Sequence, residues 1–113
     1  MADHIRIRTA PGTYVVRAGD AVLGESTRVQ ELTEGSYPPV LYFPREDIAM
    51  AMLDRTERSS TCPWKGKASY YSIVTPGATL ANAVWSYEAP VGDAAAIAGH
   101  LAFYPDRVTV ERV

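Results

Sequence analysis

The sequence predicts a mainly β, single small domain whose antiparallel sheets bend over in a barrel-like way, with two short helices. Three observations predict it. Several short segments alternate apolar and polar residues with period two, as half-buried strands do. Turn residues (Gly, Pro, Asp) separate these segments at short intervals. The intervals are too short for the crossovers that parallel strands need, so neighbouring strands pair antiparallel. A chain of 113 residues makes one domain over residues 1–113. Folding such a chain buries roughly two-thirds of the surface it exposes when unfolded.

In residues 4–8, Ile5 and Ile7 share one strand face and Arg6 and Arg8 the other. Residues 14–17 and 21–23 form a hairpin whose turn is Gly19-Asp20. A further strand at 27–32 is broken by residues 35–39, and residues 40–43 form a short buried strand that ends at Pro44. Pro44 suits the first position of a helix, and Glu46 and Asp47 complement the helix dipole. With Ile48, Ala51 and Met52 on one stripe, the spacing predicts a helix that ends near Arg55. Residues 67–74 and 79–88 form a second hairpin around Thr75-Pro76-Gly77. Asp93 is placed to cap a short alanine-rich helix through Ile97, ended by Gly99. Residues 101–104 and 107–113 close the chain, separated by Pro105-Asp106.

Composition narrows the function classes. Hydrophobic residues make up 47% and charged residues 21%, the balance of a soluble globular domain rather than a disordered one. The net charge of −2 gives no strong attraction for nucleic acid, and none is expected as a partner. No stretch approaches the ~18 apolar residues of a membrane span, so no membrane partner is expected. Asp3, Arg6 and Arg8 interrupt any signal-like apolar run, and the single cysteine makes no internal disulfide. These features predict a cytoplasmic protein. They leave the oligomeric state open. One cysteine and two distant histidines do not match zinc spacing, and there is no Walker or dinucleotide loop, so neither a metal nor a cofactor is expected.

The run Thr61-Cys62-Pro63-Trp64-Lys65-Gly66 is the best candidate for a site. Proline and glycine bracket a Trp-Lys pair, so the backbone turns there and displays a thiol, an indole and an ammonium. Lys65 beside Gly66 can hold an anion, and Arg45 at the expected helix start is a second anion candidate. Both also read as ordinary solvated cations. Tyr70 and Tyr71 point to opposite faces of their strand, while Trp85 and Tyr87 share a face of the next one. If those strands pair, one of the two tyrosines joins Trp85 and Tyr87, and Trp64 completes an aromatic wall. The competing reading is a plain aromatic core. Cys62 is the candidate nucleophile, against a buried cysteine acting as a small hydrophobe, and Asp47 is the other candidate catalytic group.

Four blocks, at residues 37–48, 61–71, 83–90 and 101–108, are the sequences YPPVLYFPREDI, TCPWKGKASYY, AVWSYEAP and LAFYPDRV. Together they resemble the bacterial family known as domain of unknown function 427, over nearly the whole chain. The resemblance implies a compact, mostly β domain of the β-tent or Mss4-like kind. Members of that group often hold zinc on paired cysteines, which this chain lacks. The family is sometimes filed under a nucleotidyltransferase-like name. This chain has no Gly-Ser motif with paired aspartates, and that activity is not carried over. Tyr42, Arg45, Asp47, Cys62, Trp64, Lys65, Tyr71, Trp85, Tyr87 and Tyr104 fall in the family's blocks. The resemblance implies no established reaction.

The reading favoured by these residues is a pocket for a small anionic or aromatic ligand. Trp64 and Trp85 would wall it, Lys65 and Arg45 would meet negative charge, and Tyr42, Tyr71, Tyr87 and Tyr104 would line it. A thiol-dependent enzyme using Cys62 is one alternative. A structural or protein-interaction module without a ligand is the other.

Overall fold

The alternation of residues 5–9 becomes an edge strand in the computed structural model, which describes residues 4–113. Asp3, used above in reading the N-terminus, lies outside the described residues. Ten strands follow in order: β1 Ile5–Thr9, β2 Tyr14–Ala18, β3 Ala21–Ser26, β4 Gln30–Glu34, β5 Val40–Tyr42, β6 Leu53–Cys62, β7 Gly66–Thr75, β8 Ala78–Ser86, β9 Ala102–Phe103 and β10 Thr109–Arg112. They form three antiparallel sheets, ordered β1-β4-β5, β10-β2-β3 and β6-β7-β8-β9. The mainly β, antiparallel expectation holds. None of the sheets closes on itself, so the barrel-like expectation gives way to three open sheets folded against one another.

Local turn chemistry explains both hairpins. Ala18 pairs with Ala21 across Gly19-Asp20, and Gly19 takes the left-handed φ of +59° that this tight connection requires. Thr75 pairs with Ala78 across Pro76-Gly77. The sheets are then stitched by isolated bridges. Phe43 and Leu101 exchange backbone hydrogen bonds of 2.8 Å, joining the β5 end to the β9 end. Gly24 bridges Ile48, and an added Cβ there would lie 2.3 Å from the Asp47 carbonyl oxygen. Only glycine lets those two backbones meet.

That bridge also explains why the expected helix at 44–55 is absent. A single 3-10 turn forms at Arg45–Asp47, and the chain then extends through Ile48 (φ −113°, ψ 140°). Ile48 is buried, and the Ala49 N–H donates to the Leu23 carbonyl. Pairing with β3 satisfies backbone groups that a helix would have satisfied internally, and tertiary packing overrides the amphipathic stripe. A second 3-10 turn, Met50–Met52, leads into β6, a strand absent from the sequence reading. The alanine-rich segment is a 3-10 helix, Gly92–Ile97. Asp93 sits inside its first turn rather than capping it, and Val91 takes the cap position without a side-chain bond.

The four-stranded sheet is covered on both faces, which is why residues 68–73 of β7 are all buried. Alternation sorts the side chains. Tyr71, Ile73, Val84 and Phe103 face a larger core shared with β2 and β3, where Phe43 and Phe103 pack edge to face with centroids 5.7 Å apart. Ala68, Tyr70, Trp85 and Ala102 face a smaller core shared with β1, β4 and β5. The candidate site lies on this second side.

Candidate functional site

The second face carries an unusual density of aromatic side chains, and they do not close into solid packing. The register sets Tyr70 of β7 opposite Trp85 of β8, and Tyr87 follows two residues on, on the same side. Tyr42 arrives from β5 and Tyr104 from just beyond β9. The Trp85 and Tyr104 rings lie 4.6 Å apart, and Tyr42 meets Trp85 edge-on at 6.3 Å. Between them is an open hollow of about 250 Å³, lined by these aromatics together with Tyr37, Val40, Glu34 and Lys65. The Trp85 indole N–H donates to the Tyr42 hydroxyl at 3.3 Å, which fixes both rings. Burial pushes the Tyr42 phenol up to about 12, and burial likewise raises Tyr87. Both therefore stay neutral hydroxyls, able to donate as well as accept. Burial, followed by a hydrogen bond with Tyr70, raises Tyr104 too.

One charged pair sits among these rings. Lys65 is only 8% exposed, and its Nζ donates to Glu34 Oε1 at 2.5 Å. The other Glu34 oxygen lies 3.2 Å from His4 Nε2. The β6–β7 turn places the lysine. The Lys65 N–H donates to the Cys62 carbonyl, Gly66 takes a φ of +108°, and the Val91 N–H donates to the Lys65 carbonyl. The hydrogen bond from Lys65 holds the Glu34 carboxyl below the ordinary carboxylate value, with a smaller contribution from His4. A carboxyl lowered on folding stabilises the native state fully above its unfolded value near 4.5, and that contribution is lost as pH falls through the lowered folded value. Wild type is therefore expected to lose more stability than Glu34→Gln between about pH 5 and about pH 3. Urea midpoints across that interval check this, and parallel curves for the two proteins would contradict it.

The structure separates two cations that the sequence reading brought together. Arg45 lies on the opposite face of the sheet. Its Nε donates to the Gly99 carbonyl at 3.0 Å and its Nη2 to Glu88 Oε2 at 2.9 Å. The Tyr71 hydroxyl donates to the same Glu88 oxygen at 2.6 Å, and Arg55 reaches the other at 3.2 Å. Burial alone would raise the Glu88 carboxyl, but Tyr71, Arg55 and Arg45 outweigh it and hold it below its usual value. Arg45 and Tyr71 thus belong to a network centred on Glu88, whereas Lys65 belongs to one centred on Glu34. The helix dipole invoked for Arg45 is also missing, because its helix is a three-residue turn.

Trp64 does not wall the hollow. At the tip of the turn it is 37% exposed and packs edge-on against His4 at 5.7 Å, while its neighbour Lys65 turns inward. Asp47 lies elsewhere, accepting from Ser26 Oγ at 2.7 Å and pairing with Arg28. Cys62 is half-buried against the smaller core, beside Tyr42 and Tyr87. His4 Nε2 lies 3.2 Å from Glu34 Oε2 and His100 Nδ1 lies 3.1 Å from the Ala98 carbonyl, and among the described residues neither ring makes a hydrogen bond to Cys62. Among the described residues no three His, Cys, Asp or Glu side chains cluster as metal ligands, and no helix is long and apolar enough to cross a membrane. Glu34, Glu88 and Arg55 were missed by sequence reasoning. Nothing local marks them, since Glu34 and Lys65 stand 31 residues apart.

The chain matches a family model, NTP_transf_9, over residues 6–113. It belongs to that family, which is described as a domain of unknown function (DUF427). Comparison with curated proteins gives no match.

Proposed function

Starting from membership of an uncharacterised family, we propose that the hollow between β4, β5 and the four-stranded sheet binds a small aromatic molecule with a polar edge. The observation that carries this reading is an open space walled by Trp85 and five tyrosines, with buried Lys65 paired to half-buried Glu34 among them. Aromatic walls with a few fixed polar groups are the usual form of a small-ligand site. A volume near 250 Å³ exceeds a benzene-sized cavity of ~150 Å³ and falls short of the ~300 Å³ at which drug-sized pockets begin. One substituted ring fits.

The charge pattern favours an aromatic over an anionic occupant at this point. Glu34 neutralises Lys65 at contact distance, so the hollow has no net positive charge to offer. Lys65 has three N–H donors, and among the described residues Glu34 is the one acceptor it reaches. The remaining donors and the tyrosine hydroxyls would bind the polar edge. Cys62 packs against the smaller core and has no chemical role in this reading. A single unpaired cysteine suits a reducing compartment, and we place the protein in the cytoplasm.

Tryptophan emission tests the reading. The chain has two tryptophans, so in Trp64→Phe the signal comes from Trp85 alone. Titration with phenol or benzamide is expected to give a saturable change in that emission, weakened in the Tyr104→Ala background. No change up to about 10 mM of either compound, a concentration that detects even millimolar binding, would overturn the proposal.

A further inference from the structure

Lys65 and Arg45 are each engaged by a carboxylate, whereas among the described residues Arg6, Arg58, Arg107 and Arg112 form no ion pair. Two of these four, Arg58 and Arg107, line one shallow cleft of about 270 Å³ with Ala81, Asn82, Tyr104 and Asp106. The two cations outnumber the one carboxylate there. Each is held in place by a contact that leaves most of its donors free. Arg107 Nη1 donates to the Ala81 carbonyl at 3.3 Å, and the Arg58 guanidinium stacks 4.6 Å above the Tyr70 ring.

The sheet is deformed at this place on both sides of β7. Strand β6 advances from Arg55 to Ser59 while β7 steps only from Tyr71 to Ser69, so β6 carries two additional residues. Strand β8 advances from Leu80 to Val84 while β7 steps from Ile73 to Tyr71, so β8 carries two as well. The bulges face each other across β7 and are tied together. Thr56 Oγ1 donates to Asn82 Oδ1 at 2.6 Å and accepts from the Arg58 N–H at 3.2 Å. Asn82 sits at a φ of +51°, the one non-glycine residue with positive φ among the described residues. Bulges re-aim side chains and concentrate beside functional sites. Here the pair of them delivers Arg58 to the cleft.

Tyr104 lines both this cleft and the aromatic hollow, and Tyr70, a wall of the hollow, carries Arg58 on its face. We propose that the Arg58–Arg107 cleft is an anion subsite of the hollow, and that the ligand is an aromatic molecule carrying a phosphate monoester on a short arm. The proposal rests on the reading of the hollow given above. Two guanidinium groups match a phosphate, with its charge near −2 and three acceptor oxygens, better than a single-charged carboxylate.

The test compares phenyl, benzyl and phenethyl phosphate with phenol, benzyl alcohol and phenethyl alcohol by calorimetry, on wild type and on Arg58→Gln/Arg107→Gln. At least one phosphate is expected to bind wild type about tenfold more tightly than its alcohol, an advantage that shrinks with salt. In the double variant that advantage, measured against the alcohol on the same protein, is expected to disappear. Alcohols that bind as tightly as all three phosphates would overturn the anion subsite and leave the hollow standing. An advantage retained in the double variant would also overturn it. Failure of every compound to bind would overturn both readings.

Discussion

Tyr42→Ala is expected to destabilise the protein by about 3–5 kcal/mol, the range for truncating a large buried aromatic, whereas Tyr42→Phe should cost about 1 kcal/mol. Tyr42 is 1% exposed, so its ring is fully committed to the smaller core. It packs against Trp85 and Tyr87 and stands at the end of β5, next to the Phe43–Leu101 bridge that joins two sheets. Removing the ring leaves a void that this junction cannot collapse into without losing the bridge. The phenylalanine variant keeps the packing and gives up only the hydroxyl that accepts from the Trp85 indole. Urea unfolding of the three proteins separates the terms. Equal losses for Ala and Phe would mean that the hydroxyl, not the ring, carries the junction.

Lys65→Met is the second large effect, with an expected cost of about 2–3 kcal/mol. Breaking a fully buried pair costs about 3–5 kcal/mol because a charge is left without its partner. The figure is smaller here because the Glu34 side chain keeps 22% of its exposure and retains His4. Removing both charges, in Lys65→Met/Glu34→Leu, should recover much of the loss, since apolar replacements of buried pairs are often neutral. A double-mutant cycle measures this. Additive losses in the double variant would show that the two side chains act independently, against the contact drawn between them.

The parts of the fold that were legible in the sequence are those written locally. Gly19-Asp20 and Pro76-Gly77 signal their hairpins within a few residues. The grouping of Tyr70 with Trp85 and Tyr87 follows from period two and one strand pairing. What failed depended on distant partners. Residues 44–55 have helical patterning, but the Gly24 bridge to Ile48 decides their conformation. Strand β6 is an exposed edge, with Arg55, Glu57, Arg58, Ser59 and Ser60 facing solvent, so it shows no apolar alternation.

The lining of the hollow was legible in part: of the six aromatics chosen for it, Trp64 and Tyr71 lie elsewhere, while Lys65 does line it. Tyr42, Trp85, Tyr87 and Tyr104 were chosen from the sequence, and the structure gathers all of them around one hollow. Which of Trp64 and Lys65 turns inward depends on the geometry of a tight turn, where strand alternation gives no guidance. The acids that neutralise Lys65 and Arg45 come from β4 and from just beyond β8, 31 and 43 residues away. Pairing at that range has no local signature, so the separation of the two cations into two networks emerges only in three dimensions.

Proton–nitrogen NMR of the two indole groups during a phenol titration tests the central claim most directly. Trp85 sits in the hollow with its N–H bonded to Tyr42, while Trp64 packs against His4 at the surface. The Trp85 indole resonance is expected to shift saturably while that of Trp64 stays in place. A shift confined to Trp64, or equal and unsaturable movement of both, would mean that phenol meets only the exterior and that the hollow is not a binding site.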